Sequence, residues 1–151
     1  MCLATVEFRS YRESVAEAFT AIGAGDTLAL QARILIKPNL VNASPHPVTT
    51  PPACCEAVVE YIKAHSAAEL VIGDGCGDAV LETDEVFERL GYREMAQRLG
   101  LPLLDLNHAP LRKLSRPDCP VFPEMYLPEI ALTHFIISVP VLKAHSFSII
   151  T

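Results

Sequence analysis

Apolar and polar positions along this chain fall into short blocks, and the period of the pattern changes at glycine and proline. Residues 33–36 (Arg33-Ile34-Leu35-Ile36) are a compact aliphatic run, the pattern of a buried strand of parallel type. Lys37-Pro38-Asn39 follows. Proline has no N–H to give a ladder and holds its predecessor extended, so the strand is predicted to stop there. Similar runs occur at 70–73, 103–106 and 135–139, and residues 3–8 alternate well enough to predict a first strand.

The segments between these runs have helical spacing. Val15, Ala18, Phe19 and Ile22 fall at i, i+3, i+4 and i+7, behind a capping box of Ser10 and Glu13 and ahead of Gly23 or Gly25 as the stop. Cys55, Val58, Val59 and Ile62 predict a second helix, with Thr50 as N-cap and Pro51 in the first position. Thr83 is placed to cap a third, with Asp84 and Glu85 in its first turn and Gly91 at its end. A short helix over 93–99 closes at Gly100. Residues 42–52 and 110–128 are proline-rich loops, the second holding a short strand at 111–114 paired in a hairpin with 121–122.

This order of strands and helices predicts an α/β fold: an open, mainly parallel sheet with helices on both faces. One domain is expected over 1–151, with the strand at 135–139 central. The chain stops six residues after His145, so it reads as the N-terminal part of a longer domain.

Composition narrows the function classes. Half of the residues (50%) are hydrophobic, and 12 basic against 18 acidic residues give a formal charge of −6. That balance speaks against non-specific nucleic-acid or anionic-membrane binding, and no apolar run approaches the roughly 20 residues of a membrane span. The N-terminus lacks the basic and apolar regions of a signal peptide, which makes the cytoplasm the expected location. The five cysteines (Cys2, Cys54, Cys55, Cys76 and Cys119) form no C-x-x-C pair and no ferredoxin-type run. They read as reduced thiols, with Cys76, between two glycines, expected to be the most exposed.

In a parallel sheet the strand ends share one rim, where ligands bind. That rim would receive Lys37 and Asn39, Asp74, Asn107 and His108, then Lys143 and His145. Lys37 suits an anion clamp, and its plain alternative is a solvated lysine at a strand end. Lys143 and His145, two apart on an extended segment, suit an anion and a metal or proton respectively; a polar turn is the alternative. Asp74, flanked by Gly73 and Gly75, suits a divalent metal together with Asp78, and Gly75 permits close backbone approach to a ligand; a plain glycine turn is the alternative. Thr49 and Thr50 precede a helix start, a place for an anion or simply for capping.

Several of these segments together resemble a known family. Ile36-Lys37-Pro38-Asn39-Leu40-Val41, Thr49-Thr50-Pro51-Pro52, Gly73-Asp74-Gly75, the 86–92 stretch ending Leu90-Gly91-Tyr92, and Val139-Pro140-Val141-Leu142-Lys143-Ala144-His145-Ser146 are similar to the domain-of-unknown-function 362 family. The resemblance implies an α/β fold and an association with ferredoxin-type iron–sulfur domains. An iron–sulfur cluster would then come through a partner or a further domain, because this chain lacks the cysteine run. It also implies a chain continuing past 146.

The expected function is an enzyme-like domain that binds a small anionic or metal-associated ligand at the strand rim, with a redox link through a ferredoxin-type partner. Lys37, Asn39, Thr49, Thr50 and Gly75 are the expected ligand-binding residues, Lys143 and His145 the expected catalytic ones, and Asp74 with His145 the expected metal ligands. The alternatives are a non-catalytic binding or scaffold module, and a thiol-redox role for Cys76 or the Cys54-Cys55 pair.

Overall fold

The computed structural model describes residues 3–145 and 149–150, with only the backbone described for residues 145, 149 and 150. Its centre is a four-stranded parallel sheet. The strands are β1 (Arg33–Pro38), β2 (Glu69–Asp74), β3 (Leu103–Asp105) and β6 (Phe135–Val139), in the order β3-β2-β1-β6. Two antiparallel pairs stand apart from it. One is β4 (Leu111–Ser115) with β5 (Glu124–Pro128); the other is the two-residue pair β7 (Ala144–His145) with β8 (Ile149–Ile150).

Side-chain alternation divides the sheet into two faces. Ile34 and Ile36 of β1 lie in register with Leu70 and Ile72 of β2 and with Phe135 and Ile137 of β6. This face carries the main core. It packs on Val58, Val59 and Ile62 of α3 (Pro52–His65), on Val86 and Phe87 of α4 (Thr83–Arg89), and on Tyr92 and Met95 of α5 (Tyr92–Leu99). Val15 and Phe19 of α1 (Tyr11–Ala21) and Leu28 of α2 (Ala24–Ala29) extend the same core. The opposite face carries Leu35, Lys37 and Ile136 and is roofed by the β4–β5 hairpin and the single turn α6 (Ile130–Thr133).

The α/β fold therefore matches the periodic pattern, with instructive exceptions. Residues 3–8 form no strand. Alternation is a short-range signal, whereas a strand also needs a ladder partner, and among the described residues none pairs with this segment. The strand at 135–139 lies at the edge of the sheet, not its centre, and Phe135 and Ile136 are correspondingly exposed. The partner of 111–115 is 124–128, a few residues beyond the expected 121–122, because Arg116 N–H bonds Pro123 O and closes a longer loop.

Helix starts shift by one residue in two places. Pro51, not Thr50, is the N-cap of α3, and Glu82, not Thr83, caps α4 in a capping box with Glu85. In both cases tertiary contacts claim the hydroxyl. The stops at Gly23, Gly91 and Gly100 are as expected, each with the positive φ that glycine tolerates best. No helix among the described residues is long and apolar enough to cross a membrane.

Candidate functional site

Because β1, β2, β3 and β6 are parallel, their carboxyl ends share one edge, and two groups of the expected site residues assemble there. The first is built on Asp74, the last residue of β2, which is buried at 4% exposure. Lys37 Nζ donates to Asp74 Oδ1 at 2.6 Å, and the buried Leu40 N–H donates to Oδ2, also at 2.6 Å. The carboxylate thus ties the end of β2 to the turn after β1. The Lys37 side chain remains 43% exposed. Among the described residues its only other hydrogen bond is a long 3.4 Å one to Pro38 O, which leaves one of its three donors unspent there.

The second group surrounds the proline loop. Asn39 Nδ2 and Lys143 Nζ both donate to Val48 O, at 3.0 and 3.1 Å. Lys143 is 95 residues from Val48 in the chain, and sheet topology alone brings them together. The His145 side chain lies outside the described residues, and so does Ser146.

Thr49 and Thr50 are buried and fully engaged. Thr49 Oγ1 donates to Ser44 O at 2.6 Å. Thr50 Oγ1 accepts from Asn39 N–H at 3.0 Å and donates to Val139 O at 2.7 Å, which latches the end of β1 to the end of β6. Thr50 N–H in turn bonds Asn39 O, and Thr50 O accepts from the buried Tyr92 hydroxyl at 2.9 Å. Burial raises the Tyr92 phenol far above its ordinary value and keeps it a donor. Tyr92 is thus a positioning residue, and it stands one residue ahead of the helix expected over 93–99. Its signal is a hydroxyl on an otherwise apolar helix face.

The glycine turn is tightly packed. A Cβ on Gly75 would meet Asn107 Oδ1 at 2.2 Å, and Asn107 Nδ2 donates to Cys76 O at 2.9 Å. Glycine is needed there so that Asn107 can hold the turn. Asp78 does not face Asp74. Its Oδ1 accepts from the Val80 and Leu81 N–H groups, which hold its carboxyl below the ordinary range. Cys76 is buried, not exposed, and its thiol donates to Leu81 O at 3.1 Å. Burial pushes the Cys55 thiol up to about 12 and raises Cys54 as well, so neither offers a ready thiolate.

A cavity of about 500 Å³ opens on the Lys37 face of the sheet. Leu35 and Ile136 form its floor, Leu106 one wall, and Leu111, Leu127 and Ala131 its roof. Lys37, Asp74 and Asn107 supply its polar end. The roof comes from the proline-rich segment, which the pattern of the sequence does not connect with the rim. A second hollow, about 330 Å³, lies beside β6 beneath α1 and α2 and has no charged side chain in its lining.

At Asp74, an expected metal ligand, each carboxylate oxygen accepts one short hydrogen bond, from Lys37 Nζ and from the Leu40 N–H. Among the described residues, Glu82, Asp105 and His108 bring one ligand atom each within 4.8 Å of one another. His108 Nδ1 and Asp105 Oδ2 are 2.6 Å apart. These two already hydrogen-bond each other at the end of β3. Burial would push the Asp105 carboxyl up, but the hydrogen bonds from His108, Thr83 and Asn107 N–H outweigh it and hold it low. The bond to Asp105 raises His108.

No curated protein and no solved structure matches this chain. The family model described as "Domain of unknown function (DUF362)" matches residues 34–151. That span begins one residue into β1 and takes in the rest of the sheet, both groups of rim residues and the hairpin over the cavity. The chain therefore belongs to the DUF362 family.

Proposed function

We propose that this domain binds a small anionic ligand at the carboxyl ends of β1 and β2, with Lys37 as its principal contact. The observation that carries the reading is the state of Lys37. Its ammonium is held in place by a buried carboxylate, faces a cavity, and among the described residues keeps a donor free. A preorganised cation of this kind costs little ordering entropy when an anion arrives. Lys143, anchored on the loop carbonyl that Asn39 also binds, supplies a second positive charge on the same edge. Thr49, Thr50 and Tyr92 support the rim in this reading and do not touch the ligand. A ferredoxin-type partner, as the family resemblance implies, would supply any redox link.

The experiment is a titration of isotopically labelled protein with acetate, sulfate and inorganic phosphate, followed by amide chemical shifts. Saturable shifts at Gly73, Gly75 and Asn39 are expected, and they should vanish in Lys37→Met while the remaining spectrum is retained. Saturable shifts that persist unchanged in Lys37→Met would remove the basis of the reading. Under the scaffold alternative no anion shifts these amides.

A further inference from the structure

We infer that the ligand of the Lys37 cavity is an apolar monocarboxylate: one carboxylate on a hydrocarbon body, rather than an inorganic anion or a phosphate ester. This inference rests on the anion-binding reading and goes on to name the ligand class.

Charge and surface at the cavity both select for this class. Among the described residues, the charged side chains in its lining are Lys37 and Asp74, which sum to zero. A single negative charge can take the free Lys37 donor, while the two Asp74 oxygens stay occupied by Lys37 and the Leu40 N–H. A phosphate ester would bring a further charge close to Asp74, and among the described residues the lining offers no second cation to balance it, Lys143 lying outside it at the Val48 carbonyl. The rest of the wall is aliphatic, and two of its members are left wet: Leu111 is 58% exposed and Ile136 41%. An apolar body seated between β1 and the hairpin would cover both, a gain unavailable to a bare anion.

The space suits such a molecule. At about 30 Å³ per small group, the liquid-volume share of one water, the cavity of about 500 Å³ takes on the order of 15 non-hydrogen atoms. Beside the floor residue Leu35, Gly73 of β2 is packed too closely for a side chain: a Cβ there would come within 3.1 Å of the Leu35 side chain and 3.2 Å of Leu104 O.

The test is calorimetry on the full chain with butanoate, hexanoate, octanoate, octan-1-ol and inorganic phosphate. A fully buried methylene is worth roughly a fourfold gain in affinity, so octanoate should bind at least about tenfold tighter than butanoate, allowing for partial burial. Octan-1-ol and phosphate should each bind at least about tenfold more weakly than octanoate, the loss of one charge-assisted contact or of the apolar body. Lys37→Met should abolish the preference of octanoate over octanol. Leu111→Ser, a change at an exposed position that folding tolerates, should flatten the dependence on chain length without weakening butanoate. Phosphate binding as tight as octanoate, or no dependence on chain length, would overturn the inference while leaving the anion reading intact. Binding of no anion at all would overturn both. Octanol binding as tightly as octanoate would show an apolar pocket with no role for the charge, and would also overturn the inference.

Discussion

Replacing Asp74 by alanine tests the joint on which the rim depends. The side chain does two things. It accepts the buried Leu40 N–H, and it pairs with a Lys37 that remains 43% exposed. Removing an acceptor from a buried N–H costs about 1–3 kcal/mol, the upper part of that range applying when the lost partner is charged. The ion pair adds about 1 kcal/mol or less, because Lys37 can turn into water once released. Asp74→Ala is therefore expected to lose about 2–4 kcal/mol, which at about 2–4 °C per kcal/mol for a domain of this size lowers Tm by about 5–15 °C. Asp74→Asn keeps one oxygen for Leu40 N–H and should lose only about 1–2 kcal/mol. Urea denaturation of the three proteins, read by far-UV circular dichroism at constant m, gives both differences. A value for Asp74→Ala within about 0.5 kcal/mol of the parent, as for an ordinary surface change, would show that the joint carries no weight. Equal losses for alanine and asparagine would show that the charge, not the Leu40 bond, dominates.

Three further outcomes are expected. Thr50→Val removes the latch between Asn39 N–H and Val139 O and should cost about 1–3 kcal/mol in urea denaturation, whereas Thr50→Ser, which keeps the hydroxyl, should retain most of the stability. His108 should titrate above an ordinary histidine by proton NMR, and Asp105→Asn should return it to normal. A raised histidine stabilises the fold below its unfolded pKa and loses that contribution as pH rises through its folded value. The lowered Asp105 contributes above its unfolded pKa and loses that contribution as pH falls through its folded value, so the pair stabilises most in the mildly acidic range between. Among Cys54, Cys55, Cys76 and Cys119, iodoacetamide should label Cys119 first, because the Phe122 and Val121 N–H groups lower its pKa, whereas Cys55 and Cys76 are buried and the half-buried Cys54 has a raised pKa; labelling of Cys76 first, followed by mass spectrometry, would contradict the packing described.

Local chemistry wrote much of this molecule directly into its sequence. The aliphatic runs at 33–36, 70–73 and 135–139 are strands, and the 3.6-residue spacing through Val58, Val59 and Ile62 is a helix face. Glycines 23, 91 and 100 end their helices, because these signals depend on neighbours within one or two turns of chain. The common edge that gathers Lys37 with Asp74 also follows, since parallel strands separated by helices leave little choice of direction. What the tertiary structure alone decided is which groups are spent and which are free. Thr50 looks like a cap until Val139 arrives from 89 residues away to take its hydroxyl. Cys76 looks exposed between its glycines until Leu81 and Thr83 fold over it. The edge position of β6 and the hairpin roof over Lys37 depend on long-range pairings, whose gain comes only after the intervening loops have closed. A side chain's type is fixed by its codon, but its freedom to meet a ligand is fixed by partners that no short window of sequence contains.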